Sequence, residues 1–236
     1  LAASLDGKIA TRIGDSKWIT GSSARQFVHN MRRNHDAIMV GSGTVKSDDP
    51  SLNVRNLGNC VQPHRIVLSS NLEIPIKSNL AKTVHEQPLW IFHSNKASED
   101  LKSKWLDIGA RLFECQVDNF GLSIRDIMRI ISGKGITRLL CEGGGKLAAT
   151  LIRSGLVDQM VTFHGGLTIG EDGYPSAGRI AWALWGGDAG FTWSRGKVDQ
   201  LDKEREKQYD YEKNYLPCCD DCGSKVIEID FKQEVS

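Results

Sequence analysis

The sequence predicts an α/β fold, a mostly parallel sheet flanked by helices, and three observations carry that prediction. Short apolar runs of strand length alternate with segments whose apolar residues recur at helical spacing. The stretch Thr137–Gly155, TRLLCEGGGKLAATLIRSG, joins such a run to a helical pattern through three glycines. The composition, 40% hydrophobic and 25% charged over 236 residues, is that of an ordinary globular protein. A chain of this length holds one large domain, or one domain and an appendage. A net charge of +1 gives no electrostatic case for nucleic acid or a membrane surface. No apolar run approaches membrane-spanning length, and the first residues do not form a signal peptide. The chain begins without methionine, on what reads as the middle of a structured segment, so further sequence upstream is expected. Cys60, Cys115 and Cys141 are scattered and read as reduced thiols, which fits a cytoplasmic protein.

Taken in order, Leu1–Gly7 reads as the end of a strand and a polar turn, and Lys8–Thr11 continues extended. Ser22 or Ser23 caps a helix running to about Asn34, with Phe27, Val28 and Met31 as its apolar stripe and Arg32 and Arg33 at its negative end. Asp36–Val40 is a buried-type strand, closed by GSGTVKSDDP, a loop of small and acidic residues. Arg65–Leu68 and Leu89–Phe92 are further strands, then a helix near Glu99–Leu106. The strand Arg111–Cys115, a helix near Ser123–Ser132, the glycine element and the strand Gln159–Phe163 complete the alternation. Open sheets of this kind place ligands at the carboxyl ends of their strands. The loops at such ends are Ser16–Gly21, Gly41–Arg55, Ser69–Ser70 and Glu142–Gly145.

A strand, a glycine turn and a helix point unpaired backbone N–H groups at an anion, and glycine lets phosphates approach closely. The same sequence also serves as a tight turn that binds nothing, and this stretch alone leaves both readings open.

LAASLDGKIAT, SKWITG, the pair HDAIMVGSGTV and DDPSLNVR, PHRIVLSS and CEGGGKLAATLIRSGLVD stand in the order and spacing of one family. Over about residues 1–177 the chain resembles the reductase domain of the bifunctional riboflavin-biosynthesis deaminase/reductase, a dihydrofolate-reductase-like fold. The resemblance implies NADPH-dependent reduction of the ribose of 5-amino-6-(5-phosphoribosylamino)uracil, a phosphorylated pyrimidine, to a ribityl chain. It implies cofactor contacts at Ala2, Trp18, Thr44, Asp48, Ser70 and the turn Gly144, Gly145, Lys146, Leu147, Ala148, Ala149 and Thr150. It implies substrate contacts at Ser16, Arg32, Leu52, Arg55 and Glu142. Guanidinium forks suit a substrate phosphate, and Arg32 and Arg55 can supply them. Reduction leaves an oxygen or nitrogen that needs a proton, and Asp48 or Glu142 are the candidates. Singly, each has a plainer reading: Trp18 as a core plug, the arginines as surface charges, Asp48 as a turn cap. The family dimerises through this domain and carries a deaminase domain upstream, so a homodimer and an upstream deaminase are implied. Rival readings are a same-fold reductase of another pteridine or pyrimidine, and a non-catalytic fusion or relic.

From residue 178 the sequence departs from the family, which leaves the fold incomplete at both ends. Where the family continues to a final pair of edge strands, residues 178–236 read as a helical or irregular tail. Trp182, Trp185 and Trp193 come first, then a charged helix over Lys197–Lys213. The stretch PSAGRIAWALWGGDAGFTWSRGKV resembles a segment of phage-associated proteins of unassigned role. Loss of the last strands would expose a sheet edge. Cys219 and Cys222 make half of a zinc site, with Cys218 beside them, and the ligand count favours no metal.

Overall fold

The computed structural model describes residues 2–4, 6–13, 19–119, 121–171, 173–175, 215–217 and 225–230. Its elements in chain order begin with β1 (Ala2–Ala3), β2 (Lys8–Ala10), α1 (Ser22–Arg33), β3 (Ala37–Gly41), α2 (Ser42–Asp48), β4 (His64–Leu68) and α3 (Asn79–Lys82). Next in the chain are β5 (Leu89–His93), α4 (Glu99–Ile108), β6 (Arg111–Glu114), β7 (Val117–Asp118), β8 (Gly121–Leu122) and α5 (Ile124–Gly133). Last come β9 (Leu139–Cys141), α6 (Gly145–Arg153), β10 (Gln159–His164), β11 (Tyr174–Pro175), β12 (Tyr215–Pro217) and β13 (Lys225–Asp230). The chain divides into two units, one of Leu1–Ala24 with Val157–Ser236 and one of Arg25–Leu156.

The unit Arg25–Leu156 is built on a five-stranded sheet in the order β6-β5-β4-β3-β9, parallel throughout. Its central strands are apolar runs because both faces are covered: Ala37, Ile38, Met39 and Val40 are all fully buried. Ile38, Val40, Val67, Leu89 and Ile91 join Trp105 of α4 and Leu80 of α3 in one core cluster. Helix caps fix the ends: Ser98 accepts from Leu101 N, and Ser123 from Asp126 N. Asp36 sets the register of β3 on β9, since its Oδ2 accepts from Thr137 N, Thr137 Oγ1 and Arg138 N at 2.8–2.9 Å. Those bonds hold its carboxyl below the usual carboxylate range, Arg138 N–H first.

The expected strands and helices over 37–164 stand within a few residues of the positions read from the sequence. One segment is corrected. SGTVKSD, read as loop, is the helix α2. Its residues are poor helix formers, and Gly41 gives no side-chain cap. The helix is held from outside, through the buried Val45, and ends on Asp49 in the left-handed region at φ 41.

In the unit of Leu1–Ala24 and Val157–Ser236, β1 pairs parallel with β10, Ala2 opposite Phe163, and β11 pairs antiparallel with β2. Asp6 ties this unit's turns together by accepting from Ser4 Oγ and from the N–H groups of Ile169 and Gly170. With Ser4 as the largest cause, its pKa falls to about 2. The expectation of a sheet without its last strands is also corrected. β13 runs antiparallel along β10 from Gln159↔Asp230 to His164↔Lys225, and β12 pairs with β13. The reason lies in VIEID, a β-branched run easily passed over beside the cysteine cluster. The expected helix at 197–213, Trp182, Trp185 and Trp193, and Cys218, Cys219 and Cys222 all lie outside the described residues. Among the described residues no helix is long and apolar enough to cross a membrane.

Candidate functional site

The chain leaves β3 for β4, β5 and β6 on one side, then returns to β9 on the other. The loops leaving β3 and β9 therefore diverge at their carboxyl ends, which makes this a topological switch point, where open α/β sheets open a crevice. From β3 the chain passes directly into α2. From β9 it passes through Glu142, Gly143 and Gly144 into α6.

The glycine turn is seated on α2 so closely that a side chain is excluded. A Cβ on Gly143 would lie 2.9 Å from Val40 Cβ and 3.0 Å from Thr44 Oγ1. Gly144 stands at φ 70, where only glycine is at ease, and is the N-cap of α6. It offers no side chain to the free N–H groups of the first turn, and that turn holds Lys146 but no acid. An uncapped, acid-free helix start beside a bare glycine suits an anion, so these residues fit the pyrophosphate of a dinucleotide.

Beside the turn, Arg32 and Glu142 form a two-pronged pair. Arg32 Nε donates to Glu142 Oε1 and Nη2 to Oε2, both at 2.6 Å, with the side chains 13% and 17% exposed. Arg32 Nη1 donates to Asn53 O at 2.9 Å. One turn earlier on α1, His29 Nδ1 accepts from Arg55 N at 3.3 Å. Burial, then the charges of Arg32 and Arg55, hold the His29 pKa below the ordinary imidazole value. The neutral ring with Nδ1 as acceptor fits that geometry.

The structure thus brings Thr44, Arg32, Glu142, Gly144, Gly145 and Lys146 to one end of one sheet. Ser70 comes just after β4, the neighbour of β3, at the same end. Its side chain is exposed, and its carbonyl accepts from Ser94 N at 3.0 Å and Ser94 Oγ at 2.9 Å. Asp48, the last residue of α2, and Arg55 are exposed. Leu147 and Ala148 are half-buried on α6, Ala149 is buried, and Thr150 Oγ1 donates to Lys146 O. Leu52 is a core residue, 2% exposed, held at φ 50 with its carbonyl accepting from Gln87 Nε2. Its side chain is therefore committed to packing. Ala2 is exposed on β1 of the other unit. Ser16 and Trp18 lie outside the described residues. His29 and Asn53 were not singled out from the sequence. Asn53 stands within DDPSLNVR and His29 three residues before Arg32, the only signals either gave.

The model of the RibD C-terminal domain matches residues 1–180. The chain belongs to that family. RibD of Bacillus amyloliquefaciens is 35% identical over 175 residues, covering 74% of this chain and 46% of the relative. RibD of Actinobacillus pleuropneumoniae is 38% identical over 161 residues, covering 67% and 42%. Among solved structures, Acinetobacter baumannii RibD superposes with a TM-score of 0.65 at 26% identity, over 82% of this chain and 49% of that one. A Thermotoga maritima diaminohydroxyphosphoribosylaminopyrimidine deaminase/5-amino-6-(5-phosphoribosylamino)uracil reductase gives 0.60 at 28% identity, over 75% and 46%. The chain spans less than half the length of these relatives.

Proposed function

We propose that this RibD C-terminal domain reduces the ribose of 5-amino-6-(5-phosphoribosylamino)uracil to the ribityl chain, with NADPH as the reductant. One observation carries the reading: the uncapped glycine turn lies against Thr44 at the switch point, with the Arg32–Glu142 pair at its lip. Membership of the family supports it, as does the reductase activity in the name of the Thermotoga protein. A reductase of this kind uses a nicotinamide cofactor, and NADPH is the one proposed for this chain.

The N–H groups at the start of α6, with Gly144, would hold the pyrophosphate, and Thr44 and Ser70 would hold parts further along the cofactor. Bound there, NADPH supplies a hydride to the sugar carbon. The chain's own residues do the rest. Arg55, exposed, offers its fork to the substrate phosphate. Arg32 is already engaged by Glu142, so it orients that carboxylate and the Asn53 carbonyl. Glu142, accepting two N–H bonds, serves as an acceptor for substrate hydroxyl or amine groups. Asp48 is left as the group that delivers a proton, directly or through water, to the heteroatom that hydride addition uncovers. The resemblance to the family adds Ala2, Trp18, Ser16 and Leu52 as contacts. A reductase domain over 1–177, a divergent segment over 178–236, a cytoplasmic homodimer and an upstream deaminase domain belong to the same proposal.

The test is to mix purified chain, NADPH and the phosphoribosylamino-uracil and follow loss of the reduced nicotinamide absorbance. Substrate-dependent oxidation with a ribityl product is expected. Saturable NADPH binding, seen as quenched tryptophan fluorescence, without any turnover of this substrate would defeat the substrate assignment. No binding of NADPH would defeat the whole reading.

A further inference from the structure

Residues 50–55 belong to no helix or strand, yet side chains from other segments hold this loop's main chain almost residue by residue. Asn79 Nδ2 donates to Asp49 O at 2.9 Å, just ahead of it. Gln87 Nε2 donates to Leu52 O at 3.0 Å, and Arg32 Nη1 to Asn53 O at 2.9 Å. Arg55 N donates to His29 Nδ1 at 3.3 Å. Gln62 makes two bonds to one residue: its Oε1 accepts from Val54 N at 2.8 Å and its Nε2 donates to Val54 O at 3.2 Å. A single side-chain amide thus gives Val54 the pair of bonds that a neighbouring strand would give it. Leu52 is anchored in the core in the left-handed region, which fixes the other half of the loop. A loop so fully templated is built to present something in a fixed direction, and the residue directly after Val54 is the exposed Arg55.

We propose that Gln62 is a positioning residue for the substrate phosphate: by bracketing Val54 it aims the Arg55 guanidinium at the phosphate of a phosphorylated sugar. The inference rests on the reading of Arg55 as the phosphate contact. Gln62 acts through Arg55 and not on the reacting atoms, so its effect falls on substrate affinity and spares the cofactor and the chemical step.

The test compares the full chain with Gln62→Ala and Gln62→Glu. It measures KM for the phosphoribosylamino-uracil, kcat, NADPH Kd by tryptophan fluorescence, and ribose 5-phosphate Kd by titration calorimetry. Losing this preorganisation in Gln62→Ala should raise the KM and the ribose 5-phosphate Kd about tenfold. NADPH Kd and kcat should stay within about twofold, because the interactions lost bind the ground and transition states alike. Gln62→Glu should fall between, because a carboxylate still accepts from Val54 N and cannot donate to Val54 O. An unchanged KM, or a KM that rises together with NADPH Kd as the fold loosens, overturns the proposal. If the wild-type chain does not turn the pyrimidine over, the reading of function fails, and the ribose 5-phosphate affinities still decide on Gln62. Equal affinities in both chains, or none in either, overturn it.

Discussion

Replacing Gly143 by alanine tests whether the glycine turn is held in place by close contact with α2 and β3. The residue's φ is not in the left-handed region, so the backbone itself accepts a side chain, and the cost is steric. The new Cβ would stand 2.9 Å from Val40 Cβ and Cγ1, where ordinary contact begins at 3.4 Å, so something must move by 3.4 − 2.9 = 0.5 Å. Val40 cannot readily yield. It is fully buried in β3, paired with Val67 in a strand that has neighbours on both sides. The turn must lift instead, carrying Gly144 and the first N–H groups of α6 with it. Overpacking of this kind costs about 1–3 kcal/mol of stability. For domains of this size range that corresponds to a Tm loss of about 2–8 °C per kcal/mol. Misplacing one charge-assisted bond to the pyrophosphate by that distance should weaken NADPH at least about tenfold, the equivalent of 1.4 kcal/mol. The control is Gly133→Ala at the end of α5, where a Cβ meets nothing within 4 Å and φ is ordinary. Differential scanning fluorimetry and an NADPH titration read both variants. If Gly143→Ala matches Gly133→Ala in Tm and NADPH Kd, the close approach does not shape the turn and the reasoning is wrong.

Arg32→Lys replaces a two-pronged contact with a point charge and should cost about 1.5–3 kcal/mol of stability in urea melts. Arg55→Ala should leave those melts unchanged and raise the substrate KM about tenfold or more, the loss of a charge-assisted contact. Asp48→Asn should lower kcat about a hundredfold or more with little change in either KM if it delivers the proton, and full turnover would remove it from the mechanism. Acid stability is set in part by Asp36 and Asp6, whose folded pKa values lie below the unfolded value of 3.8, that of Asp6 at about 2. A depressed carboxyl contributes stability fully above the unfolded value and loses it as pH falls through the folded one. Urea midpoints of the wild type should therefore decline as pH drops from 3.8 towards 2, and Asp36→Asn and Asp6→Asn should flatten that decline; unaltered pH profiles in both would refute it.

The parallel sheet was legible because its central strands are buried on both faces and so read as unbroken apolar runs, AIMV and LWIF being the plainest. α2 was not, because nothing in SGTVKSD favours a helix locally; the helix exists through Val45 in the core, which is a tertiary fact. β13 was hidden by its neighbours in sequence rather than by its own residues, which are good strand formers. Of the site, the glycine turn was legible as a local structure because its strand, glycines and helix are contiguous in the sequence. The pairing of Arg32 with Glu142 could not show, since 110 residues separate them and neither residue's neighbours encode the other. The burial of Leu52 could not show either, since its place in the core and its bond from Gln87 are set by segments distant in the sequence.

Arg32 and Arg55 look alike in sequence and differ in physical state. Arg32 lies on the helix that enters β3, Glu142 on the turn that leaves β9, and Asn53 on the loop beyond α2. Three of the Arg32 donors are directed at those two partners at 2.6–2.9 Å. A phosphate arriving there would have to displace a carboxylate already held two-pronged in a mostly buried setting, and the freed Glu142 would then face it as a like charge. Arg55 meets a phosphate from an exposed position with no such exchange. The pair at Arg32 is therefore better suited to holding three segments around the switch point in register, which fixes where Arg55 and the glycine turn stand. Recognition of the substrate by Arg55 and of the cofactor by α6 are then separable functions that depend on one shared support.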